Sequence, residues 1–171
     1  FFISMEMDIT KSSYRDIDEL KEYLYGSAEV IGLMMAKIMD LPEGSYRSAR
    51  YLGRAMQYIN FIRDIDEDIC LGRHYFPQEE MERFGLDSLK KEETRRKKEA
   101  FRAFIGEQVD RFYRWQEIAE EGFRYIPKRY LIPIKTASDM YKWTAKSIDL
   151  NPYLVYDLKL KPSKLRIVGN G

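Results

Sequence analysis

Four side chains, Gln57, Asn60, Asp64 and Asp68, have the types and the spacing to do chemistry. At about 100° per residue they fall within an arc of about 80° on one helix, with Gly53 inside the same arc, and form a single polar stripe. Two carboxylates one helical turn apart lie within reach of a shared hard cation, and an Asn one turn earlier adds a neutral oxygen ligand. Mg²⁺ favours one or two protein carboxylates together with waters and phosphate oxygens. The stripe therefore suits a diphosphate held through magnesium better than an all-protein metal cage. The alternative is the solvated face of an amphipathic helix. Such a face usually places Lys or Arg one turn after an acid, whereas Asp64 is followed there by Asp68, which repels it unless a cation sits between them. Gly53 and Asn60, both poor helix formers, occupy mid-helix positions that a purely structural face would fill with Ala, Glu or Lys. The opposite side, with Leu52, Ala55, Tyr58, Ile59, Ile62 and Ile65, is a core face, although Asp66 also projects there.

The rest of the chain limits what else could operate. One cysteine, Cys70, and one histidine, His74, exclude a disulfide framework, a multi-cysteine zinc site and any histidine cluster, so carboxylates must do whatever metal chemistry there is. With 29 basic and 28 acidic residues the net charge is +1, so no overall field recruits nucleic acid or an anionic membrane. The longest apolar run, 31–36, falls far short of the roughly 20 residues that cross a bilayer, and nothing reads as a signal peptide. The 171 residues, 44% of them hydrophobic, suffice for one domain spanning 1–171.

Helical spacing of apolar residues positions the stripe. Leu20, Leu24, Ala28, Ile31, Met35 and Ile38 predict a helix over 13–39, capped by Ser13 or Asp16 and stopped by the Leu41-Pro42-Glu43-Gly44 turn. A second helix, from 45 or 46 to 69, carries the stripe, and 71–77 reads as an irregular loop. Pro77 opens a short helix ending near Gly85. A long helix with a charged, solvated first half reaches Pro127. Another begins near Pro133 and ends before Asn151-Pro152. No strand is expected, and the class is all-α.

These residues resemble the squalene and phytoene synthase family, the head-to-head branch of the trans-isoprenyl diphosphate synthases. The matching fragments are YLYGSAEVIGLMM at 23–35, LGRAMQ at 52–57, NFIRDIDED at 60–68, GRHYFP at 72–77 and NPYLVY at 151–156, with basic residues over 159–164. The GSA stretch and the NPY tail look most like archaeal phytoene synthases. The resemblance implies an isoprenoid-synthase-type helical bundle around a central cavity, of which this chain is the C-terminal portion. It implies that Asp64 and Asp68 form the second aspartate-rich motif, catalytic and metal-binding together with Asn60, with Gln57 completing the polar rim. Arg63 and Arg73 would neutralise the diphosphate, Tyr23, Tyr75 and Tyr153 would line the site, and Lys159 would add a basic group.

The implied activity is Mg²⁺-dependent 1-1′ condensation of two geranylgeranyl diphosphates to phytoene through a cyclopropylcarbinyl diphosphate, without NADPH. Squalene or dehydrosqualene synthesis is the near alternative, and a truncated, non-catalytic helical relative the distant one. The expected setting is cytoplasmic, with prenyl diphosphate as partner and peripheral membrane contact for release of the hydrocarbon. Family members also carry a first aspartate-rich motif well upstream of the Tyr23 helix and N-terminal helices that close the cavity. Neither lies within these 171 residues, so the chain alone is expected to be incomplete. His74 is expected to be structural, the 90–98 run a solvated face, and Met34 and Met35 packing residues, although such soft side chains would also suit a cavity for polyprenyl chains.

Overall fold

The computed structural model describes residues 2–157, and their regular structure is helical. In chain order the helices are α1 (Phe2–Thr10), α2 (Ile17–Leu24), α3 (Val30–Ile38), α4 (Tyr46–Arg63), α5 (Ile65–Cys70), α6 (Gln78–Arg83), α7 (Lys91–Arg96), α8 (Lys98–Glu120) and α9 (Lys128–Leu150). A π turn, Tyr25–Glu29, joins α2 to α3, and a 3₁₀ turn, Pro152–Tyr156, follows α9. Among the described residues there is no strand, only an isolated parallel bridge between Ser13 and His74. The stripe-bearing helix α4 is central and packs against α3, α8 and α9.

Asp16, one of the two expected caps, begins α2 by accepting hydrogen bonds from the Asp18 and Glu19 amides. Beyond it the predicted apolar stripe holds only in part. Leu20, Leu24 and Ala28 are buried, but Ile31, Met35 and Ile38 are exposed, Ile38 to 74%, and Ala36 is buried instead. The π turn explains the change. It inserts one residue into the helical repeat, so the inward face passes from Ala28 to Gly32 and Ala36.

That shift brings two glycines into backbone contact with a neighbouring helix. A Cβ at Gly32 would collide with the carbonyl of Ala49, and one at Gly53 with the carbonyl of Ala28. Gly53 thus sits in the stripe because α4 must touch the π turn there. Gly53→Ala is expected to lower the urea midpoint. Overpacking costs about 1–3 kcal/mol and outweighs the gain of about 1 kcal/mol in helix propensity. A raised midpoint would show that the helices are not in contact.

Three other boundaries differ from the sequence reading. The helix expected over 45–69 breaks at Asp64 (φ −99°, ψ 18°), and Asp66 just beyond is exposed rather than in the core. The helix expected to run from the charged segment to Pro127 breaks at Lys97 (φ −111°, ψ 50°). There the Lys97 ammonium donates to the Gly85 carbonyl and the Asp87 carboxylate, each at 2.7 Å. Helix α9 starts at Lys128 rather than near Pro133, because Pro127 already occupies its N-cap and Pro133 is accommodated inside.

One hydrophobic cluster extends from Tyr14 to Tyr156, with Tyr58, Phe101, Phe104 and Phe112 fully buried. A buried polar network runs through it. The Arg111 guanidinium donates to both Glu80 carboxylate oxygens (2.9 and 2.6 Å) and to the Tyr58 hydroxyl (2.9 Å). Gln108 donates to Glu80 at 3.2 Å and accepts from Tyr58. These bonds tie α6 and α8 to the core side of α4, opposite the stripe.

Candidate functional site

The polar stripe survives the break in its helix. The Asp64 amide donates to the Asn60 carbonyl and the Asp68 amide to the Asp64 carbonyl, both at 2.8 Å, so the one-turn spacing continues from α4 into α5. Arg63 grips Asp64 through Nε (2.7 Å) and Nη2 (2.5 Å). Asp68 is in a less favourable position. Burial and the neighbouring charges of Asp64 and Glu67 push its carboxyl up to about 7, against the pull of Arg73 and Arg63. The Asn60 Oδ1 is buried and accepts no hydrogen bond from the described residues, and Gln57 is half-buried one turn earlier.

After α5 the chain reverses through Gly72, whose φ of 73° is in the left-handed region that favours glycine. The Arg73 amide then donates to the Asp68 carbonyl at 2.8 Å, which places Arg73 directly behind the second aspartate. The loop is held along its length by the segment between α1 and α2. The His74 amide donates to the Ser12 carbonyl (2.8 Å) and the Gln78 amide to the Tyr14 carbonyl (2.9 Å). The backbone of His74 thus pins the loop, while its side chain is exposed.

Tyr75, two residues after Arg73 in this loop, stacks on Phe61 of α4 with ring centroids 4.0 Å apart. Tyr23 and Tyr14 lie 5.5 and 6.1 Å from the Tyr75 ring, so the three tyrosines and Phe61 form one buried aromatic wall. The structure thus brings Tyr23, Tyr75, Arg73, Arg63, Asn60, Asp64 and Asp68 to one end of α4.

The other end of α4 borders an apolar cavity of about 360 Å³. Its walls are Ala49, Leu52, Gly53 and Met56 of α4, Ile31, Gly32 and Met35 of α3, and Phe123, Ile126 and Ile134 from the segments beyond α8. Met35 lines this cavity, the second of the two roles expected for the methionine pair, and Met34 is 52% exposed rather than packed in the core. Gly53 belongs to both features. From α4 into α5 the lining passes from hydrocarbon to amide to carboxylate, which suits an amphiphile with a long apolar tail and an anionic head.

Tyr153 is placed elsewhere. Its hydroxyl donates to the Thr94 carbonyl at 2.8 Å, and it lines a separate cleft with Lys91, Arg95, Lys98 and Asp157. Lys159 lies outside the described residues. Two participants carry no signal in the sequence. Asp8 accepts a hydrogen bond from the Tyr23 hydroxyl at 2.7 Å, and Tyr14 packs 5.5 Å from the Tyr23 ring. Both come from the first 16 residues, where no motif is visible, and only tertiary contact reveals them.

The donor set fits magnesium as part of a shared site. Asp64 and Asp68 repel one another and one is forced towards protonation, a conflict that a divalent cation relieves. Among the described residues no three His, Cys, Asp or Glu side chains cluster to hold a metal alone. No described helix is long and apolar enough to cross a membrane.

Residues 2–166 match the family model for squalene/phytoene synthase. The chain is 34% identical to phytoene synthase 3, chloroplastic, of Zea mays over 156 residues, covering 87% of this chain and 36% of that protein. It is 30% identical to the 15-cis-phytoene synthase of Synechocystis over 167 residues, covering 88% of this chain and 48% of that one. Among solved structures, a dehydrosqualene synthase in complex with ligand superposes with a TM-score of 0.83 at 26% identity, covering 98% of this chain and 59% of that chain. The squalene synthase HpnC of Alicyclobacillus acidocaldarius gives 0.79 at 26% identity, covering 88% and 57%. The chain thus spans between about a third and a half of these curated relatives' length.

Proposed function

The chain belongs to the squalene/phytoene synthase family, and on that premise we propose that it supplies the diphosphate-binding half of a prenyltransferase that joins two geranylgeranyl diphosphates head to head to give phytoene. The observation that carries this reading is the succession from α4 into α5: α4 lines an apolar cavity with Leu52, Gly53 and Met56 and carries Asn60 near its end, and Asp64 at the junction and Asp68 on α5 follow at one-turn spacing. A prenyl chain would lie in the cavity with its diphosphate at the carboxylates.

Asp64, Asp68 and the free Asn60 oxygen would hold Mg²⁺ together with the diphosphate. When bound, the ion supplies charge neutralisation to the departing diphosphate. Arg63 and Arg73 add positive charge on either side of the two carboxylates and bind the remaining phosphate oxygens. The buried aromatic wall of Tyr23, Tyr75 and Phe61 would hold the loop of Arg73 against the end of α4. The apolar cavity keeps water from the allylic cation left behind, so the second chain can add 1-1′ and lose a proton as the cyclopropylcarbinyl diphosphate closes; that intermediate then releases its own diphosphate, rearranges and loses a second proton. No NADPH is required for that outcome. The setting that goes with it is a cytoplasmic enzyme that touches a membrane to release its oily product.

The test is to incubate the full-length protein that carries this chain with geranylgeranyl or farnesyl diphosphate, with and without Mg²⁺ and NADPH, and to extract the hydrocarbon. Phytoene formed without NADPH is the expected product. Squalene or dehydrosqualene from farnesyl diphosphate would replace it with the shorter-chain reading, and consumption of neither substrate would leave a non-catalytic helical relative.

A pH dependence follows from Asp68. A cation binds the ionised carboxylate, and with this group near pH 7 the ionised fraction falls about tenfold for each pH unit below that. The Mg²⁺ concentration for half-maximal activity is expected to be flat above pH 8 and to rise about tenfold between pH 6.5 and 5.5. A requirement unchanged over that range would remove Asp68 from the metal site.

A further inference from the structure

Asp8 lies on α1, outside every motif that the sequence brings to notice, yet its carboxylate accepts a 2.7 Å hydrogen bond from the Tyr23 hydroxyl. The same helix touches Tyr23 a second time, where the Ser4 hydroxyl donates to the Tyr23 carbonyl at 3.3 Å. Tyr23 is buried, its ring 5.5 Å from both Tyr14 and Tyr75 and 6.2 Å from Phe61. Arg73 lies within the influence of Tyr75, Asp8 and Tyr23 together, and all three strengthen its hold on its proton. Asp8 itself is exposed, on a helix whose Phe2 and Ile9 are 84% and 87% exposed. A solvated carboxylate on such a helix adds little to the stability of the core, but it determines where a buried phenol points.

We propose that Asp8 is a positioning residue for the reaction described above. Its carboxylate fixes the Tyr23 hydroxyl, Tyr23 holds Tyr75 through their ring contact, and Tyr75 sets Arg73 at the diphosphate. This rests on the reading of Arg73 as a diphosphate ligand. A buried hydroxyl that loses a charged acceptor turns to other partners. The contacts of Tyr23 with Tyr75, and of Tyr75 with Arg73, shift with it. Asn in place of Asp8 retains an oxygen acceptor at the same reach and therefore retains most of the effect.

The experiment is a double-mutant cycle in the full-length protein with Asp8→Ala, Tyr23→Phe and their combination, and with Asp8→Asn as the conservative variant. It is read by kcat and KM and, separately, by titration with inorganic diphosphate in the presence of Mg²⁺. Asp8→Ala and Tyr23→Phe are each expected to lower kcat/KM by about tenfold to a hundredfold, mainly through KM, with melting temperatures close to wild type. The double variant is expected to lose no more than either single one, because both break the same hydrogen bond. Asp8→Asn is expected to stay within about threefold of wild type, and Asp8→Ala to bind inorganic diphosphate about tenfold more weakly. Losses that multiply in the double variant would overturn the proposal, as would Asp8→Ala matching wild type in both readouts. If the wild-type protein converts no prenyl diphosphate, the proposed function fails. The diphosphate titration then decides the role of Asp8 by itself, with unchanged affinity in Asp8→Ala counting against it.

Discussion

Asp68→Asn is expected to stop turnover while making the metal-free protein more stable. Loss of one of the two metal-binding carboxylates removes charge neutralisation from the departing diphosphate, and rate losses of about a thousandfold are usual when a group of this kind is removed. The stability effect follows from the displaced titration. The Asp68 carboxyl shifts from 3.8 to about 7 in the folded protein, so between those values the folded state binds more protons than the unfolded one. Stability therefore falls as pH rises through this window, and the loss is complete above pH 7. Asn cannot ionise and is spared the loss. A shift of that size corresponds to at most about 4 kcal/mol, which partial solvation reduces to about 1–2 kcal/mol. Denaturation of both proteins at pH 8 without divalent cations should place Asp68→Asn above wild type, with the gap closing at pH 4. Adding Mg²⁺ with diphosphate should raise wild type alone. Equal stability at both pH values would show that the carboxylate is not strained by Asp64 and burial.

Arg111→Met is expected to be the most damaging single change in the core. Arg111 and Glu80 are nearly buried, with 11% and 10% of their side chains exposed, and the guanidinium contacts both carboxylate oxygens as well as Tyr58. Removing one partner of such a pair costs about 3–5 kcal/mol, because the other charge is left buried and uncompensated. For a chain of this size that corresponds to a fall in Tm of about 10 °C. Replacing both, with Arg111→Met and Glu80→Leu together, should recover much of the loss, since an apolar pair of similar volume is often neutral or stabilising. A double variant no better than Arg111→Met would mean that Tyr58 and Gln108, left without their partners, carry the larger share.

The parts of the site that were legible in the sequence are those set by local helical geometry. Asn60, Asp64 and Asp68 recur at one-turn spacing, and the break at Asp64 leaves that register intact because the backbone hydrogen bonds on either side of it persist. Gly53 was conspicuous as a helix-poor residue, but its reason, contact with the Ala28 carbonyl, belongs to the packing of two helices. The π turn has no spacing signature of its own. It moved the inward face from Ile31 and Met35 to Gly32 and Ala36 and placed the two larger residues at the cavity. Long-range pairings were invisible for a different reason. Glu80 and Arg111 lie on different helices, 31 residues apart, so no local spacing pairs them, and only folding makes them one buried ion pair. Tyr153, matched to the site by resemblance, is instead bonded to Thr94 beside the cleft of Lys91, Arg95 and Lys98.

The most direct measurement of the central assignment is a crystal structure of the full-length protein with Mn²⁺ and a non-ionisable thiodiphosphate analogue of the prenyl substrate, recorded at a wavelength where manganese scatters anomalously. The predicted result is an anomalous peak at about 2.1 Å from carboxylate oxygens of Asp64 or Asp68, with the diphosphate between that ion and Arg73 and the prenyl chain in the cavity beside Gly53 and Met56. Manganese away from both aspartates, or a diphosphate seated instead among Lys91, Arg95 and Lys98, would contradict it.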